Sequence, residues 1–155
     1  CHTHSSYATA WAQSMYSVPI LGTTHADHTP YPIPCTRLLT EIEVIKNYEI
    51  NTGKVIVEAI NNPKSIRDIA TLGPFPKLDK LNVMENPMIL VAGHGPFCWG
   101  KNAADSVYTA AVLEECCKMA LFVKNISGSF SVFPQYIVNK HYERKHGRNA
   151  YYGQS

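Results

Sequence analysis

The sequence predicts a mixed α/β fold in one domain, and three observations carry that expectation. Met88 to Ala92 is an unbroken apolar run of the kind found in a strand buried on both faces. Ala103 to Lys124 has helical spacing and is opened by Asn102 as a cap, with Asp105 in the first turn where the helix dipole favours a carboxylate. With 155 residues, 45% of them hydrophobic and 17% charged, the chain is large and apolar enough to bury one core.

Taken in order, residues 1–4 read as the end of a strand running into Ser5 or Ser6, either of which can cap a helix to about residue 16. Its inward stripe is Tyr7, Ala8, Trp11, Ala12 and Met15. Val18 to Leu21 is a short β-compatible run that delivers Thr23-Thr24-His25-Ala26-Asp27-His28. Prolines 30, 32 and 34 forbid helix after it, so this polar segment is expected on an ordered loop. Thr40-Glu41-Ile42-Glu43 has the spacing of a capping box, and a brief helix should end near Tyr48. Lys54 to Ile60 alternates as a strand would. Residues 61–87, with Pro63, Pro74, Pro76 and Pro87, read as an irregular excursion holding one helical turn. In the long helix the apolar stripe is Val107, Ala110, Leu113, Cys117, Ala120 and Leu121. A last helix should open at Pro134 and stop at Gly147.

Charge and cysteines narrow the function classes. A net charge of +2, without aromatic residues interleaved among Lys and Arg, points away from nucleic acid and fits a small anionic metabolite. Five cysteines without a Cys-x-x-Cys pair suggest buried thiols and a reducing, cytoplasmic setting. There is no run of about 18 apolar residues and no charged leader before an apolar core, so neither a membrane span nor a secretion signal is expected. Gly-rich phosphate loops and Gly-x-Ser-x-Gly elbows are likewise missing. The chain starts without Met inside a strand-like segment, and upstream sequence is expected.

The chemistry concentrates in histidines. Alternation along a strand puts His2 and His4 on one face, about 6.5 Å apart, a spacing one metal ion can bridge. His94, between two glycines and before Pro96, supplies a third imidazole where space is left around the ring. Three neutral imidazoles suit Zn²⁺ and also accept Mn²⁺, Fe²⁺ or Co²⁺, with a position left for substrate. The plainer alternative for His94 is a hydrogen-bonded turn histidine. Asp27, between His25 and His28, is either an acid–base group or a solvated turn residue. His141 shares a helix face with Ile137, as a packed histidine would. Lys140, Arg144, Lys145 and Arg148 are explained by the negative helix end, with phosphate recognition the sharper option. Tyr151-Tyr152 in a polar tail implies either docked rings or a working one. Cys98 as a thiol nucleophile beside His94 lacks suitable geometry.

These segments together resemble the L-ribulose-5-phosphate 4-epimerase branch of the class II aldolase/adducin superfamily. The resemblance is carried by His2-Thr3-His4-Ser5-Ser6-Tyr7-Ala8-Thr9, Gly22-Thr23-Thr24-His25-Ala26-Asp27, Ile33-Pro34-Cys35-Thr36-Arg37 and His94-Gly95-Pro96-Phe97-Cys98-Trp99-Gly100-Lys101-Asn102-Ala103. It extends through Lys140-His141-Tyr142 to Ala150-Tyr151-Tyr152-Gly153-Gln154, and departs between about Asn61 and Pro87, a stretch longer than the pattern. It implies a three-layer α/β/α sandwich with a mostly antiparallel central sheet, residues 1–155 forming the C-terminal portion of a single domain. His2, His4 and His94 would bind one Zn²⁺ per subunit, which as a Lewis acid would stabilise the enediolate of a retro-aldol step at C3–C4. Asp27 and Tyr152 would exchange protons on the two sides of the aldehyde, with Thr23, Glu49 and His141 in support. L-ribulose 5-phosphate would become D-xylulose 5-phosphate in a homotetramer whose active sites are shared between subunits. Phosphate contacts and an acidic residue near the metal would lie upstream. A class II aldolase that releases its fragments and an adducin-like scaffold without catalysis are the competing readings; fragment release at the turnover rate marks the first, metal-free intact oligomers the second.

Overall fold

The structure is a computed structural model of the chain that describes residues 1–66, 79–131 and 133–152. Prolines 74 and 76 of the expected excursion, and Gly153-Gln154 of the tail, lie outside the described residues. The order is α1 (Ser6–Ser14), α2 (Thr23–Ala26), α3 (Glu41–Ile45), α4 (Tyr48–Asn61), a 3-10 turn (Pro63–Ser65), β1 (Met88–Val91), β2 (Gly95–Cys98), α5 (Ala103–Ser127) and α6 (Gln135–His146).

The apolar run Met88–Ala92 forms β1 as expected, and it pairs antiparallel with β2 in the register Met88↔Cys98, Ile89↔Phe97, Leu90↔Pro96 and Val91↔Gly95. Single bridges widen the ladder: Cys35 lies parallel beside Leu90 and His2 antiparallel beside Phe97. Residues of odd and even position on β1 then face different helices, because strand side chains alternate. Met88, Leu90 and Cys98 pack with Ala8 and Ala12 of α1 and Leu113, Cys116, Cys117 and Ala120 of α5. Ile89, on the opposite face, packs with Ala59 of α4, Ile66 and Leu81, and Phe97 and Trp99 lean on that cluster. The sheet therefore carries helices on both faces, the α/β/α layering expected.

Several helix ends follow from local chemistry. The Asn102 side chain accepts from the Asp105 amide, and α5 closes at Gly128 with φ 70°. α6 opens after Pro134 and stops at Gly147, as expected. The start of α1 is held from outside: both carboxylate oxygens of Glu114, on α5, accept from the Tyr7 and Ala8 amides at 2.9 and 2.8 Å. Two of the four free amides of a helix start are thereby satisfied, and the charge faces the positive end of the dipole.

Four expectations are corrected. Residues 54–60 are helical, within α4: the buried positions Asn51, Thr52, Val55 and Ala59 repeat at helical spacing, while Val57 is 55% exposed. Packing overrides the β-branched content there. Thr23–Ala26 is one helical turn rather than loop. The Thr40/Glu43 capping box is present, but α3 ends at Ile45 and a second helix begins at Tyr48, with left-handed Asn47 between them. Val107 and Leu121 leave the inner stripe of α5, at 60% and 36% exposure, and Thr109 and Cys116 join it.

Candidate active site

His2 stands on the bridge to Phe97, His4 just before α1, and His94 in the turn between β1 and β2. One ligand atom from each lies within 4.8 Å of the other two. The imidazole of His2 stacks on the Phe97 ring, with centroids 4.1 Å apart and 13° between planes. Its Nδ1 lies 2.8 Å from the Pro96 carbonyl. A carbonyl can only accept, so Nδ1 carries the proton and Nε2 presents a lone pair. That lone pair faces His4 Nε2 at 3.2 Å. Nitrogens at about 2.0–2.1 Å from a tetrahedral Zn²⁺ stand about 3.3–3.4 Å from each other, so the pair has the separation a shared cation requires.

The two glycines around His94 have separate roles. Gly93 takes φ 70°, which L side chains rarely adopt, and turns the chain between the strands. A Cβ on Gly95 would meet the Thr3 carbonyl oxygen at 3.0 Å and His2 Cε1 at 3.5 Å, so glycine lets the first segment pass close to the hairpin. Burial, then the neighbouring His2 and His4, lowers the pKa of His94 below that of a free histidine, keeping the imidazole neutral as a metal ligand must be. Tyr48 Oη lies 3.3 Å from His94 Nδ1.

Asp27 and His141 meet where α2 meets α6, and Tyr152 lies against Arg144 and Lys145, which also face Asp27. Asp27 Oδ1 accepts from His141 Nδ1 at 2.9 Å and Arg144 Nη2 at 3.1 Å, and Lys145 Nζ is 3.5 Å from Oδ2. His146 Nε2 donates to the Asp27 carbonyl at 2.8 Å. Burial pushes the Asp27 carboxyl up, yet the His141 hydrogen bond, the Lys145 charge and Arg144 outweigh it and hold the group below the usual carboxylate range. The solvated-turn alternative for Asp27 does not hold: its side chain is 15% exposed. Residues 151 and 152 are tied back to α6 through their backbone, because the Tyr151 and Tyr152 amides both donate to the Arg144 carbonyl at 2.9 and 3.1 Å, while their rings stay exposed. The Arg144 guanidinium lies 4.3 Å from the Tyr152 ring centroid. A cavity of about 400 Å³ lined by Lys140, Arg144, Arg148 and Tyr151 opens beside it.

Of the remaining expected residues, Thr23 begins α2 and Glu49 lies in the first turn of α4, both exposed. Arg144, Lys145 and Tyr48 are additions: helix-end charge accounted for the first two in sequence, and nothing there pointed to the third. Cys98 is buried, which pushes its thiol up to about 12 and removes it as a nucleophile. The five cysteines are free, four of them buried. No helix among the described residues is long and apolar enough to cross a membrane.

The family model described as "Class II Aldolase and Adducin N-terminal domain" matches residues 1–121. The chain is 48% identical over 153 residues to proteins named L-ribulose-5-phosphate 4-epimerase UlaF from Salmonella paratyphi C (strain RKS4594) and Salmonella choleraesuis (strain SC-B67). The match covers 99% of this chain and 59% of each relative, so the chain spans about three-fifths of their length. Among solved structures, an L-fuculose 1-phosphate aldolase superposes with a TM-score of 0.60 at 19% identity, covering 92% of this chain and 53% of that one, a likeness of fold.

Proposed function

The chain belongs to the class II aldolase and adducin family, and on that premise we propose that it carries the metal-binding and proton-transfer residues of an L-ribulose-5-phosphate 4-epimerase. The observation that carries the reading is the grouping of His2, His4 and His94 within 4.8 Å, on a chain 48% identical to relatives bearing that name. The three imidazoles would hold a divalent cation, Zn²⁺ being the best fit to neutral nitrogen donors at this spacing. A cation held there supplies Lewis acidity to the oxygens of the sugar's carbonyl end.

The rest is the work of the chain's own groups. Inverting C4 by breaking and remaking the C3–C4 bond requires the C4 hydroxyl to lose its proton as the bond breaks, and the new C4 alkoxide to gain one after the aldehyde has turned over. Asp27, which accepts hydrogen bonds from His141 and Arg144 and lies 3.5 Å from Lys145 Nζ, would accept the first proton. Tyr152 would supply the second from the opposite side, and the reverse reaction exchanges the two roles. His141 would orient Asp27, while Thr23 and Glu49 would support the substrate. The metal-binding and proton-transfer groups sit on different elements, and large apolar side chains such as Ile42, Ile45, Ile50 and Val107 are exposed. The exposed apolar side chains leave surface for further contacts, and the family resemblance suggests a homotetramer in which the two groups would meet across subunits. The free cysteines fit a reducing, cytoplasmic setting.

The test is conversion of L-ribulose 5-phosphate to D-xylulose 5-phosphate by the protein carrying this chain. Activity should be lost on chelation and return with Zn²⁺. Turnover persisting after metal removal, or failing in the metal-loaded protein, overturns the reading.

A further inference from the structure

The junction between α3 and α4 contains a feature the proposed chemistry leaves unused. α3 stops at Ile45, Lys46 turns extended, and Asn47 adopts φ 57°, ψ 58° before α4 starts at Tyr48. A left-handed residue other than glycine costs on the order of 1 kcal/mol and persists only where its surroundings hold it. They do here: the Asn51 side-chain Nδ2 donates to the Glu43 carbonyl at 2.9 Å and also to the Lys46 carbonyl. Arg37 forks between Glu43 and Glu58 at 2.8 Å each, fastening α3 to α4. The Thr52 hydroxyl donates to the Tyr48 carbonyl at 2.9 Å.

The outcome of this bracing is the position of one phenol. The Tyr48 ring stands 6.0 Å from the His94 ring and its hydroxyl 3.3 Å from Nδ1. Metal-binding histidines generally donate the proton of their other ring nitrogen to a fixed acceptor, which sets tautomer and orientation. His2 has such an acceptor in the Pro96 carbonyl. His94 sits in the turn between β1 and β2, and the polar group facing its Nδ1 is the Tyr48 hydroxyl.

We infer that Tyr48 is a positioning residue of the metal centre: its hydroxyl oxygen accepts the Nδ1 proton of His94 and so leaves Nε2 unprotonated for the cation. The left-handed Asn47 is what sets the phenol there. This rests on the metal-binding reading above and adds to it a residue that touches neither cation nor substrate.

The experiment measures Zn²⁺ and Co²⁺ affinity by chelator competition, together with the Co²⁺ absorption spectrum, in the parent protein and in the variants Tyr48→Phe, Asn47→Gly and His94→Asn. Tyr48→Phe should bind about tenfold more weakly or worse and shift the Co²⁺ bands, while the metal-free protein melts as the parent does. Asn47→Gly, which keeps the left-handed turn, should bind as the parent. Parental affinity and spectrum in Tyr48→Phe overturn the inference while the metal site stands. A parent that binds neither ion, or a His94→Asn variant that binds as well as the parent, overturns the metal reading and this inference with it.

Discussion

Asp27 is the residue on which chemistry and architecture meet, since the carboxylate assigned to proton transfer also fastens α2 to α6 through His141, Arg144 and Lys145. Asp27→Asn should lower turnover by about 100-fold or more while leaving bound zinc at the parental level; zinc loss in step with turnover would refute the separation of the two groups. Close by, His25 is 5% exposed and donates from Nε2 to the Tyr31 carbonyl at 3.0 Å. Burial, only partly offset by that bond, lowers its pKa to about 4, against 6.5 when free. Between those values the unfolded chain binds a proton that the native chain refuses, so stability falls as pH drops from about 6.5 to 4, by about 3 kcal/mol. His25→Gln, which keeps a donor, should flatten that part of the urea-midpoint profile. Asp27 adds a loss of its own at lower pH, as its depressed carboxyl takes up a proton. Part of the candidate site is legible in sequence: His2, His4 and His94 stand out through spacing and glycine context, whereas Asp27 and Tyr152 receive their proposed roles from the family resemblance. Tyr48 does not stand out, because its role arises from a backbone turn 46 positions before the histidine it meets.

Capping marks the elements whose limits could be read. Asn102 before α5 and the Thr40/Glu43 box before α3 are local devices, and each acts as its spacing implies. Asn102→Ala should cost about 1 kcal/mol and lower the melting midpoint by about 2–4 °C without touching metal affinity; an unchanged midpoint would mean Asp105 and the packed helix carry the end alone. What could not be read depends on partners remote in sequence. Residues 54–60 carry a strand-like run of β-branched side chains, yet Ala59 packs with Ile89 of β1 and Val55 is buried one helical turn before it, a spacing that suits helix. Glu114 is similarly opaque: on its own helix it is one more surface acid, and its hold on the α1 amides depends on two helices coming side by side.

At the scale of the molecule the unanswered surface is apolar. Ile45, Ile50, Val107, Ile126 and Tyr136 are more than half exposed. If subunits share active sites, mixing an Asp27→Asn variant with a His94→Asn variant and allowing exchange should restore turnover that neither shows alone. Failure to complement, in mixtures that demonstrably form hybrids, would confine each active site to a single chain. The hydrogen bond from His2 to Pro96 joins positions 94 residues apart. Closing so long a loop is an entropic burden that grows slowly with length, and a cation gripping both ends would relieve it as a clasp relieves a necklace. Metal occupancy would thereby be a condition of the opening segment's order, and its loss would be felt there first, ahead of any unravelling of the helices.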